Sequence, residues 1–202
     1  MGYTEALLRK GFGVIPTRDR CLIILKEYGV PDNIVGHSIV VERVALLLAS
    51  RLIDAGNEID LPLLSAGALL HDVAKMQGIR EGRPHGELGA VISGDLGFHE
   101  VSPIIRQHVR LDDYADNGRI DEAKLVNYAD KRVNHEQIVS LDERFEYLFE
   151  RYGAVSEAAM ERMKEMKRHM ETIETQIFRR LSIGPGDIKR LIEEEDRGFH
   201  SR

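Results

Sequence analysis

Tryptophan is absent from this chain of 202 residues, and cysteine occurs once, at Cys21. A single cysteine excludes an intrachain disulfide and suits a reducing compartment. Cys21 lies in the apolar run Cys21–Leu22–Ile23–Ile24–Leu25, where a small buried hydrophobe is expected rather than a nucleophile. Basic residues are in deficit: 28 Lys and Arg stand against 34 Asp and Glu, for a formal net charge of -6. That balance offers no polybasic surface to nucleic acid or anionic lipid, and neither is expected as a partner. No apolar stretch approaches the roughly 20 residues of a membrane span. Met1 to Arg9 lacks the apolar core and small-residue cleavage site of a signal peptide. The expectation is a cytoplasmic protein. Internal repeats and alternating strand patterns are also missing.

Helical periodicity is present almost throughout, and 43% of the residues are hydrophobic, enough for one domain with a sizeable core. Thr17 or Asp19 can cap a helix through Leu25 and Tyr28, with Gly29 as its stop. A long helix is predicted from about Ile34 to Ala55, with His37 read as preceding its amphipathic part, which begins at Val40. An apolar helix follows from Leu63 to Ala74, hydrophobic on most faces and therefore buried. Gly78 to Pro84 reads as a surface loop. Further helices are expected over His85–Ile92, from Ser102–Pro103 through Val109, and from Asp121 through Ala129, with an acidic loop at Asp112–Gly118. Ser140–Leu141 starts another helix that ends at Tyr152–Gly153. A long charged helix spans Val155–Leu181, and Gly184–Pro185–Gly186 separates it from a last helix capped by Asp187.

The informative segment is Leu69–Leu70–His71–Asp72–Val73–Ala74–Lys75. A His–Asp pair at the end of a buried apolar helix is costly to desolvate without a partner, and a divalent cation takes imidazole nitrogen and carboxylate oxygen together. Neighbours on a helix point about 100° apart, so the pair can face one ion only at a helix end or distortion. His37 and Asp130 sit in similar settings, each a polar group beside core-forming sequence. The competing readings are a hydrogen-bonded cap for His71–Asp72, a helix-capping role for His37, and a pairing of Asp130 with Lys131 or Arg132. Lys75, one turn after His71, could meet a substrate phosphate or simply favour a helix end. Arg106 and Arg132 are further candidates for substrate binding. His99, His135, His169 and His200 read as surface residues.

The order His37, then His71–Asp72, then Asp130, on successive helices, resembles the HD-domain superfamily of metal-dependent phosphohydrolases. His71–Asp72–Val73–Ala74–Lys75 is similar to the signature His-Asp-Ile-Gly-Lys, with Val–Ala in place of Ile–Gly. The resemblance covers roughly Val30 to Tyr152 and is nearest to small bacterial proteins, including those that hydrolyse diadenosine tetraphosphate. It implies an all-α helical bundle, taken as the domain 1–153; separately, the narrow apolar stripe Val155, Ala159, Met163, Met166, Met170, Ile173, Ile177 and Leu181 marks 154–202 as a C-terminal helical extension that packs on this domain or on a second chain as a homodimer. The resemblance also implies one or two divalent ions of iron, manganese, nickel, cobalt, zinc or magnesium. His85 and His108 stand where members with two metals place additional histidines. Asp72 and Lys75 would act catalytically on a small phosphorylated substrate, expected to be a nucleotide. The alternatives are a regulatory module that binds nucleotide or metal without turnover, and a helical interaction protein.

Overall fold

Thr17 opens the first helix by accepting from the Arg20 N–H, and α1 runs Arg18–Glu27 in a computed structural model that describes residues 14–115, 119–152 and 156–200. Pro31 then stands at the N-terminus of α2, Asp32–Asp54. His37 lies inside α2 rather than ahead of it, because the helix begins at the acidic first turn beside Pro31 and needs no cap from Ser38. Among the described residues α2 is the one helix long and apolar enough to cross a membrane. Here it is the central helix of a bundle, packed on α3 (Leu61–Leu70) and on α7 (Glu122–Lys131), with His37, Ser38 and Glu42 buried on it.

Asp60 caps α3 by accepting from the Leu63 N–H at 2.9 Å. The helix stops at Leu70, earlier than the predicted Ala74. His71 to Ala74 form a tight turn, in which Val73 N–H donates to the Leu70 carbonyl and Lys75 N–H to the Asp72 carbonyl. The segment predicted as a loop from Gly78 is instead largely helical: α4 occupies Lys75–Glu81. Gly78 keeps its helical bond to the Ala74 carbonyl at 2.8 Å, so tertiary packing overrides its low propensity. The true stop is Gly82, whose φ of 63° is the left-handed conformation that a side chain disfavours.

Two helices follow, α5 over His85–Asp95 and α6 over Ser102–Gln107. They approach closely because Gly89 has no side chain: a Cβ there would come within 2.7 Å of Ile105 Cγ2. Asp121 caps α7 through the Lys124 N–H. Residues 116–118 of the acidic run lie outside the described residues. After α7 comes a feature that the periodicity did not predict, an antiparallel hairpin of β1 (Val133–Asn134) and β2 (Gln137–Ile138). Its strands are two residues each, too short for alternation to register. The chain closes with α8 (Leu141–Tyr152), α9 (Glu157–Phe178) and α10 (Asp187–His200). Ser156 caps α9, and the expected start at Val155 falls outside the described residues.

The buried residues form two clusters. One joins Val41, Val44, Leu48 and Leu52 of α2 to Leu125 and Tyr128 of α7, Met170, Ile173 and Ile177 of α9, and Ile188 and Ile192 of α10. The other joins α1 to Leu69, Leu70, Val73, Leu88, Val101 and Ile105. Helix α3 serves both, with Leu64 and Ala68 in the first and Ala66, Leu69 and Leu70 in the second, which is why it is apolar on nearly every face. Its C-terminal end therefore emerges where the two clusters meet. Ile173 is fully buried in the first cluster, so Ile173→Ala should lower the unfolding free energy by about 2–5 kcal/mol. Denaturant unfolding measures this, and a loss below about 0.5 kcal/mol, the range of surface substitutions, would show that α9 is not packed as described.

Candidate metal centre

His71 and Asp72 sit on the turn that ends α3, and there both side chains can face one point. His71 Nδ1 lies 2.7 Å from the Ala68 carbonyl. A carbonyl only accepts, so Nδ1 carries the hydrogen and Nε2 of the neutral ring is a bare lone pair. That Nε2 is buried and has no hydrogen-bond partner. His108 repeats the arrangement at the end of α6, with Nδ1 2.6 Å from the Ile105 carbonyl. His37 does so across the fold, with Nδ1 2.8 Å from the carbonyl of His135. Three imidazoles are thus oriented by backbone carbonyls with Nε2 turned inward, the outer support usual for metal-binding histidines.

The acceptor atoms fall into two groups that share Asp72. In the first, His37 Nε2 is 3.0 Å from Asp130 Oδ1, and His71 Nε2 is 3.5 Å from Asp72 Oδ2 and 3.8 Å from Asp130 Oδ1. In the second, Asp72 Oδ1 is 3.3 Å from His85 Nε2 and 3.6 Å from His108 Nε2, and the two imidazole nitrogens are 3.0 Å apart. Donors at about 2.1 Å from a common ion lie roughly 3.0–3.4 Å from one another, so both groups have the spacing of a ligand set. Two neutral nitrogens at 3.0 Å need a proton or a cation between them. His37, His71 and Asp72, and separately Asp72, His85 and His108, could each hold a metal ion. The unpartnered His71 Nε2 and the His85–His108 approach fit such an ion; a purely structural cap would leave neither.

The electrostatics keep the carboxylates ionised. Burial would raise the Asp72 carboxyl, but attraction to a protonated His71, and the Nε2–H bonds that His108, His71 and His85 can donate when protonated, outweigh it and hold it well below the usual range. Asp130 is likewise depressed against the opposing effect of burial, chiefly by Lys131 and His37. Burial pushes the His108 imidazole down, toward the neutral form. For His71 burial acts the same way, but the charge on Asp72 prevails and raises it.

Lys75 Nζ lies 2.6 Å from Asp72 Oδ2 and lines the cleft above the centre. Asp130 does pair with Lys131, its neighbour in sequence, because the long lysine chain folds back onto Oδ2 while Oδ1 faces His37 and His71. Arg106 stands at a neighbouring cavity with His85, its guanidinium engaged by Asp112. Arg132 requires a correction as a substrate-binding residue. It is buried, and its nitrogens donate to the Val139 and Pro185 carbonyls, to Tyr128 and to Glu174, so it ties α7 to α9 and the hairpin.

Other residues at the site were not singled out by the sequence. Asn127 donates to the carbonyls of Gln107 and His108 and holds the end of α6 in place. His135 contributes a backbone carbonyl at positive φ, 55°, at the hairpin tip. Its signal was faint: Asn and His near a turn tolerate that conformation better than most residues. Arg144 and Arg162 line the cleft, and nothing in their spacing marks them.

The fold and the clustered imidazoles and carboxylates define a helical protein with two side-chain groups that could hold a metal ion. The HD domain family model matches residues 34–134, half of the chain, and the chain belongs to that family. The family is one of metal-dependent phosphohydrolases that bind divalent metals. The matched segment carries His37, His71, Asp72, His85, His108 and Asp130, and ends before α8. Among curated proteins, an uncharacterized protein of Methanocaldococcus jannaschii is 35% identical over 89 residues, 44% of this chain and 51% of the relative. A tRNA (cytidine(56)-2'-O)-methyltransferase of Thermoplasma volcanium is 32% identical over 97 residues, 48% of this chain and 27% of its own. The enzyme of that name from Picrophilus torridus is 28% identical over 142 residues, 63% of this chain and 39% of its own. The chain thus spans about half or less of the length of these relatives. No solved structure matches it.

Two outcomes are expected of the centre. His71→Ala or Asp72→Ala should abolish metal binding while helicity is retained, and His108→Ala should lower the stoichiometry from two toward one per chain. Elemental analysis after dialysis checks both; wild-type metal content in the Asp72 variant would dismiss the centre. Loading should also release protons, because ligands bind deprotonated and His71 holds its proton above the ordinary histidine range. Affinity should therefore rise as pH rises through the raised His71 value and fall below it. Calorimetry in buffers of different ionisation enthalpy, repeated over a range of pH, reads the proton count; a count of zero and an affinity independent of pH throughout contradict this.

Proposed function

We propose that the chain hydrolyses a phosphoester or phosphoanhydride in a nucleotide. The observation that supports this best is the position of Asp72, a carboxylate whose two oxygens face two separate groups of imidazole nitrogens. Divalent metal held by His37, His71, Asp72 and Asp130, and by Asp72, His85 and His108, would supply Lewis acidity and an acidified water. The chain's own residues do the rest. Nδ1–H bonds to backbone carbonyls orient the His37, His71 and His108 imidazoles with Nε2 toward the centre. Asp72, depressed by its surroundings, stays ionised across the physiological range. Lys75, one turn along and beside Asp72, presents an ammonium group at the cleft, where it can neutralise charge developing on phosphoryl oxygens. Histidine-rich ligation favours manganese, iron, cobalt, nickel or zinc over magnesium, which prefers oxygen.

A second reading, an HD domain that binds nucleotide or metal without turnover, draws on the methyltransferase relatives. There the similar region makes up 27% and 39% of proteins named for another chemistry. A panel of nucleotides, dinucleoside polyphosphates and cyclic dinucleotides, assayed for product with each metal, separates the two. Chelation should abolish turnover and manganese, cobalt or nickel should restore it. Lys75→Ala should cut kcat by about 10²–10³ with metal retained, the usual effect of losing one such donor. Nucleotide binding with no turnover under any metal would favour the binding module, and turnover indifferent to chelation would sink the metal mechanism.

A further inference from the structure

The cleft over the imidazoles has a volume of about 450 Å3, within the roughly 300–1,000 Å3 typical of small-molecule sites. One of its walls comes from α8 and α9, which lie beyond the segment matched by the family model. The lining divides by chemistry. Metal-centre residues form the floor, while Leu148, Met163 and Met166 make an apolar side. Two guanidinium groups, Arg144 and Arg162, stand in the same lining. The lysines nearby are already engaged, Lys75 with Asp72 and Lys131 with Asp130 and the His108 carbonyl.

The arginines are differently placed. Arg162 is exposed and makes no hydrogen bond or ion pair among the described residues. Arg144 is steadied by Asn134 Oδ1 at 2.9 Å and by the Tyr147 ring, while its Nε is buried without a partner. A buried donor left unpaired is costly, so a turn of the Arg144 guanidinium toward an oxygen-rich anion in the cleft would be favoured. Guanidinium matches phosphate in shape as well as charge. Methionine side chains are polarisable and adapt to flat ring systems.

We propose that α8 and α9 form the substrate-recognition wall of this centre. Arg144 and Arg162 take phosphate oxygens, and Leu148, Met163 and Met166 receive a flat apolar group on the same molecule. The ligand class is a phosphomonoester bearing one ring system, such as a nucleoside monophosphate. The assignment rests on the phosphohydrolase reading for its phosphate, but binding can test it without turnover.

The probes are the methylenephosphonate analogue of adenosine monophosphate, in which a CH2 group replaces the bridging ester oxygen, together with orthophosphate and adenosine. Each is titrated into metal-loaded protein by calorimetry. The analogue should bind at least about tenfold more tightly than either fragment. Arg162→Ala should weaken the analogue and phosphate by roughly five- to twentyfold, the loss of a charge-assisted hydrogen bond, and leave adenosine unchanged. A Met163→Ser, Met166→Ser double variant should weaken the analogue and adenosine at least about fivefold, from lost apolar burial, and leave phosphate unchanged. Metal content should match wild type in both. Equal binding of the analogue by wild type and both variants overturns the proposal, and so does a wild type that prefers the analogue over phosphate by less than about twofold. The expected binding pattern without hydrolysis of any phosphoester would reject the hydrolase reading and leave the wall standing. Nucleotide hydrolysis with KM unmoved by either variant would do the reverse.

Discussion

Asp72 is 2% exposed and ionised, and the surrounding structure is arranged around that fact. A carboxylate taken out of water costs several kcal/mol unless partners replace its hydration. The partners come from separate elements: His71 from the end of α3, Lys75 from α4, His85 from the start of α5 and His108 from the end of α6. Most of these are helix termini, where backbone groups lack intrahelical partners. The chain uses that shortage twice in the same way. His71 and His108 each stand just past a helix end and donate Nδ1–H to the carbonyl three residues back, Ala68 or Ile105. One local device thereby satisfies a terminal carbonyl and turns Nε2 toward the carboxylate, as a donor when the ring is protonated or as a lone pair for a cation held between them.

The packing that brings these termini together belongs to the apolar residues. Helix α3 can end between the two clusters because both of its faces are buried, and Gly89 lets α5 and α6 approach closely enough for their histidines to meet. Helix α7 supplies the closing side. Asp130 and Lys131 stand at its C-terminal end, and Asn127, one turn earlier, secures the α6 terminus through two carbonyls. The hairpin after α7 returns the chain to α2 and places the His135 carbonyl against His37. Side chains with a chemical role are thus held by backbone groups whose positions depend on core packing elsewhere.

This division explains what the sequence made visible. Long apolar periodicities marked most helices, and the polar residues interrupting them, His37, His71, Asp72 and Asp130, stood out because burial of such groups needs a reason. The break after Leu70 was legible only as a requirement, that adjacent His and Asp could converge at a helix end. Roles exercised through carbonyls left at most a faint trace, so His135 passed for a surface histidine and Asn127 went unnoticed. Arg132 misled for a related reason. A basic residue two positions past Asp130 reads the same whether it faces the cleft or Tyr128 and Glu174, and only the packing of α9 decides. Gly78 looked like a breaker because propensity carries no knowledge of the helices packed around it.

The chain is acidic overall, yet its cleft gathers Lys75, Lys131, Arg144 and Arg162. Two of these charges are committed to the carboxylates beneath them, which leaves the guanidinium groups on α8 and α9 facing the cleft without a carboxylate of their own. A lysine paired with a carboxylate adds less long-range attraction to an incoming anion than an unpaired cation, although Lys75, with its side chain 37% exposed, still reaches the cleft at short range. The lysines therefore set the charge of the floor, while the arginines set the field that a phosphate would meet on approach. Because α8 and α9 follow the family segment rather than forming part of it, the centre and the wall can vary independently. On the proposed reading, the same imidazoles and carboxylates would serve different phosphorylated molecules according to which helices are laid across them, and substrate choice would rest on α8 and α9 more than on the His–Asp centre.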